Sequence, residues 1–174
     1  MKKATISSLT IAIVLTSALI VFSSHQAQAA PAVKKLRVID GGHGRFTSSY
    51  SEATEEESAA CASAASEIQV SVTADKITGK ISGTWRIVFL DGGTIAAGDI
   101  TGGKMKQDSW RLSGTETSFN FGCASLPIPV TIIGQCGDDV RISFRAERQE
   151  QDSGHALTET QTATFNDASV SCSK

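Results

Sequence analysis

The chain has 174 residues, of which 40% are hydrophobic and 20% charged, and its formal net charge is −2. That length suits one domain able to bury a core of its own. With a slightly acidic balance and no basic stripe of the kind that follows a phosphate backbone, nucleic acid is not an expected partner.

The N-terminus carries Lys2 and Lys3, an apolar run from Leu9 to Phe22, and the small-residue site Ala27-Gln28-Ala29. This is the pattern of a secretory signal peptide over residues 1–29. The run is shorter than the roughly 20 residues that cross a bilayer core. A secreted or cell-surface protein is therefore expected, with an uncleaved N-terminal anchor as the alternative and membrane contact only in that case.

Residues 30–66 are small and polar, with a glycine cluster at Gly41-Gly42-His43-Gly44 and acidic residues at Glu52 and Glu55 to Glu57. They read as a polar linker. Its second half, rich in Ala and Glu, suits a short helix with carboxylates near its start.

From residue 67 to residue 174 the period becomes two. Ile68, Val70 and Val72 alternate with polar residues, and Ile81, Trp85, Ile87 and Phe89 share one face of the next segment. Asp91-Gly92-Gly93 supplies a tight turn. Thr94 to Thr101 alternates weakly, and Gly102-Gly103 is either a bulge or a turn. Trp110 and Leu112 point one way on the next strand, followed by an apolar connection over residues 116–129. Val130 to Gly134, then Val140, Ile142 and Phe144, then Leu157 to Phe165 complete the pattern. The fold class is all-β, an antiparallel meander of six to eight strands closing into a small sandwich or barrel.

Bridged cysteines need Cα atoms within about 7 Å. In a meander, Cys136 and Cys172 follow strands that run the same way, which brings them to one end and pairs them. Cys61 and Cys123 share an end only if Gly102-Gly103 is a bulge, and pairing Cys123 with Cys136 is the rival arrangement.

The phrases Gly83-Thr84-Trp85, Gly98-Asp99-Ile100-Thr101-Gly102-Gly103, Ser109-Trp110-Arg111-Leu112-Ser113-Gly114 and Ile133-Gly134-Gln135-Cys136-Gly137 resemble those of small secreted β proteins of ammonia-oxidising archaea. That resemblance implies export but brings no activity or catalytic residue. A fainter one, to lipocalin-type barrels, rests on Gly83 and Trp85, which here fall on the second expected strand of the β domain.

Chemistry is sparsely marked. His43 and His155 lack the spacing of a metal site, no cysteine lies in a Cys-x-x-Cys motif, and the glycine cluster lacks the Lys-Ser/Thr of a phosphate loop. Neither catalytic residues, metal ligands nor cofactors are assigned. A hydroxyl–imidazole–carboxylate set drawn from Asp40, His43 and Ser48 would need a geometry that sequence does not supply. Phe119, Phe121, Leu126 and Ile128 make the connection before residue 130 more apolar than a surface loop requires, which marks a binding loop or the closure of one barrel end. The expected function is a disulfide-stabilised, non-enzymatic binding or cell-envelope role with an extracellular or envelope partner. The alternatives are a small-molecule binder in a closed barrel, with Gly83, Ala96, Ala97 and Ala163 as small inward residues, and a small secreted hydrolase.

Overall fold

Period-two alternation places half the side chains of each strand on one face. When that face is closed on itself, they become the contents of a barrel. The computed structural model describes residues 33–52, 59–75, 77–120, 127–152 and 155–173, and all of its elements are strands. In chain order they are β1 Val33–Asp40, β2 His43–Glu52, β3 Ala59–Asp75, β4 Ile81–Phe89, β5 Thr94–Met105, β6 Ser109–Phe119, β7 Ile128–Gln135, β8 Gly137–Asp152 and β9 His155–Ser173. Each strand from β3 to β8 pairs antiparallel with the next.

β1 and β2 close the barrel together. Both lie between β3 and β9 and run the same way, β1 against the second half of β3 and the end of β9, β2 against the first half of β3 and the start of β9. They are two lengths of one strand, interrupted at Gly41-Gly42. Gly42 has φ +62° and its N–H donates to the Asp40 carboxylate at 3.0 Å; a Cβ there would lie 2.1 Å from the Asn166 carbonyl oxygen. Only glycine fits such a kink. The result is an eight-stranded up-and-down barrel without free edges.

The segment expected to be a polar linker is thus part of the wall. Residues 59–66 are strand where a short helix was expected, and residues 53–58 lie outside the described residues, as does the signal segment. The physical reason lies in pairing: Ala and Ser suffice for a strand once neighbours on both sides take its backbone hydrogen bonds. Gly102-Gly103 falls inside β5, where the register shifts, and is a bulge.

The strands are strongly tilted. Followed once round the barrel from Leu36, the paired positions are Val72, Gly83, Ile100, Gly114, Val130, Ala146 and Gln161, and the path returns to the first strand at Ser48. An eight-stranded barrel has room inside for its own side chains or for one small ligand. In this one the half near the β1 start is filled with Leu36, Val72, Ile100, Leu112, Ile132, Ile142 and Phe165.

Glycine at position 114 leaves no room for a side chain between β6 and β5. A Cβ on Gly114 would meet the Asp99 carbonyl oxygen at 1.9 Å. Gly114→Ala is therefore expected to cost about 1 to 3 kcal/mol, as overpacking does. Equilibrium denaturation checks this, and an unchanged midpoint would show that the strands can part without penalty.

Candidate functional site

The two disulfide positions at the β1-start end are joined: Cys136 and Cys172 have Cα atoms 5.8 Å apart. Cys61 is also disulfide-bonded. Its expected partner, Cys123, lies outside the described residues, as do Phe121 and Leu126. The other two residues of the expected binding loop belong to strands. Ile128 opens β7 and is fully buried, and Phe119 ends β6 half-buried with its ring 6.0 Å from Phe46. Neither offers an exposed apolar loop: the β6–β7 ladder extends to Glu116 and Ile128, and the β5–β6 register shift between Ala97 and Gly98 sets Phe119 opposite buried Ala96. Of the small residues expected inside, Ala96 and Ala163 are buried, whereas Ala97 lines an outer groove and Gly83 is half-buried.

Strand alternation separates the drawn hydroxyl–imidazole–carboxylate set. Ser48 points into the barrel and is 2% exposed, while His43, five positions earlier on the same strand, faces outward. A sheet stands between them.

The polar side chains that the barrel does enclose carry no motif in the sequence. Ser48, Ser66, Glu116 and Gln161 are buried inside the barrel. Ser66 on β3, Glu116 on β6 and Gln161 on β9 are three, three and two strands apart round the wall, so their side chains enter from three sides. All lie toward the same end: Ser66 pairs with the last residue of β4, Glu116 with the first of β7, and Gln161 with Ser48. Trp85 and Glu116 flank Gly98, the position each is paired with on β5. The available signal was parity, since Glu116 shares the inward register of Trp110 and Leu112, and Gln161 that of Ala163 and Phe165.

Among the described residues, six buried side-chain atoms have no hydrogen-bond partner: Ser66 Oγ, Trp85 Nε1, both carboxyl oxygens of Glu116, and both amide atoms of Gln161. Every one belongs to this group. Burial pushes the Glu116 carboxyl up to about 8; nearby Gln161 opposes that shift without completing a hydrogen bond, and the charge of Glu159 adds to it. A run of rings passes alongside, Phe119 to Phe46 at 6.0 Å, Phe46 to Phe144 at 6.2 Å and Phe144 to Trp85 at 5.0 Å.

A concavity of about 1040 Å³ lies instead on the outer wall, lined by Arg37, Ile39, Glu67, Gln69, Arg86 and Asp99 among others. There Arg86 donates to Gln69 Oε1 at 2.5 Å, and the charges of both signs face water. Solvent satisfies such groups, so the groove holds no comparable demand for a ligand.

Comparison with known proteins leaves the site to be read on its own terms: no protein-family model, curated protein or solved structure matches the chain.

Proposed function

We propose that this is an exported, disulfide-stabilised binding protein whose ligand occupies the polar half of the barrel interior. One observation carries the reading: Glu116, Gln161, Ser66 and Trp85 are all buried inside the barrel with side-chain atoms that lack a hydrogen-bond partner. Each buried polar group left unpaired costs about 1 to 3 kcal/mol, and apolar residues of similar size would avoid that cost. A small molecule carrying its own polar groups would satisfy them. The Cys136–Cys172 disulfide is compatible with an oxidising compartment, and among the described residues no helix is long and apolar enough to cross a membrane.

Glu116→Leu combined with Gln161→Leu is expected to raise stability by about 1 to 4 kcal/mol, as when buried charged groups give way to packed apolar ones. The same double variant should abolish binding. Native mass spectrometry of protein isolated without denaturation should find a non-covalent small-molecule adduct on the parent and none on the variant. A destabilised variant, together with an adduct-free parent, would defeat the reading.

A further inference from the structure

The unpartnered atoms specify more than a generic polar ligand, a step that rests on the interior being a binding compartment. The cluster offers acceptors at both Glu116 carboxyl oxygens, Gln161 Oε1 and Ser66 Oγ, against donors at Gln161 Nε2 and Trp85 Nε1. We propose that the ligand is a small primary amine bound as its ammonium ion, with its three N–H groups shared among these acceptors and its apolar body along the Phe119, Phe46, Phe144 and Trp85 rings.

Three features favour this class. A primary ammonium has three donors and no acceptor, which suits a cluster whose unpartnered acceptor atoms outnumber its donors, four to two. Charge-assisted hydrogen bonds are the strong ones, and a carboxylate out of water gains most from a cation brought to it. Aromatic faces attract cations, most of all when both are desolvated. Burial and the neighbouring Glu159 disfavour the charged form of Glu116 in the empty barrel, and a bound ammonium offsets both effects. The Glu116 proton leaves to solvent as the cation enters, so no other reactant is needed. Among the described side chains, the other titratable groups near this end with inward register are Glu159 on β9, Arg148 on β8 and Tyr50 on β2. Arg148 and Tyr50 stand opposite Glu159, not Glu116.

Benzylamine and n-butylamine are the probes, with benzyl alcohol and benzamide as neutral controls and benzyltrimethylammonium as a cation without N–H groups. Calorimetry on the full chain should show saturable amine binding. The alcohol and the quaternary ion should bind about tenfold more weakly or less, the size expected from losing one charge-assisted hydrogen bond. The Trp85 indole N–H resonance should shift on titration with either amine. Glu116→Gln should weaken amine binding by a similar factor, and Ser66→Ala, a gentler change to the wall, should weaken it in the same direction.

Equal or tighter binding of benzamide and benzyl alcohol would overturn the amine assignment while leaving interior binding intact. Absence of saturable amine binding would also overturn it. If, in addition, an atomic-resolution crystal structure showed ordered waters alone satisfying the cluster, the binding compartment itself would fall.

Discussion

Unfolding in denaturant is expected to become progressively easier as pH rises from about 4.5 to about 8, and Glu116 is the reason. In the unfolded chain its carboxyl ionises near 4.5, whereas inside the barrel burial holds the proton on until about 8. Between those values the unfolded state binds fewer protons than the native state, so stability falls with rising pH. The contribution is complete below the lower value and gone above the higher one. Its size is roughly 3 to 5 kcal/mol if water does not reach the carboxyl, and smaller to the extent that it does. Asp75 acts in the opposite sense and in a separate window. Its carboxylate accepts from the Thr78 and Ile77 N–H groups, which lowers its pKa below the ordinary 3.8, so its contribution is lost only as pH falls through the acid range. Urea midpoints at several pH values, for the parent and for Glu116→Gln, test the assignment. The variant should lose the decline between about 4.5 and 8, and an unaltered profile would show that Glu116 is solvated like an ordinary surface carboxylate.

The second large effect concerns the opposite end of the barrel. Cys136 and Cys172 are separated by 36 residues, and opening a loop of that size is expected to cost about 4 kcal/mol on the chain-entropy model. The bond joins the β7–β8 turn to the last residues of β9. There Cys172 is paired with Leu36 of β1, at the seam where the barrel closes. Nearby, the Trp110 indole N–H donates to the Gln135 carbonyl at 3.1 Å, and the Cys136 N–H donates to the Asp108 carbonyl at 3.1 Å. Replacing both cysteines by alanine should lower the denaturation midpoint by the equivalent of that free energy. Hydrogen exchange should quicken first along 169–173 and the paired part of β1. Because the interior polar group lies toward the other end, the ligand affinity of the folded variant should stay close to that of the parent. A loss of affinity without a loss of stability would contradict this separation of staple from site.

The strands most legible in the sequence were those whose inward positions are large and apolar. Ile68, Val70 and Val72 on β3, Trp85 and Ile87 on β4, and Ile142 and Phe144 on β8 all point into the barrel, as their alternation predicts. The pairing of Cys136 with Cys172 was legible too, since it needed only the direction of two strands. β1, β2 and the first half of β3 were obscured by the composition of their inward faces. Leu36, Val38 and Phe46 are followed by Ser48, and Ser66 on β3 is preceded by Ala64 and Ala62. On these strands small and polar residues take inward positions, so the property that makes this half a candidate site also weakened the hydrophobic signal of this part of the wall.

Alternation, turn residues and cysteine positions together determined an all-β meander with a staple at one end, because these are local properties, each read within one strand or turn. Closure was decided only in three dimensions. It depends on β1 and β2 acting as one kinked strand between β3 and β9, through a bend at Gly42 that no pattern of apolar residues announces. Glu116, Gln161 and Ser66 are far apart in sequence and on three separate strands, and each alone reads as an ordinary polar residue. Barrel closure turns all three inward toward one end, and burial there is what leaves three unremarkable side chains without hydrogen-bond partners.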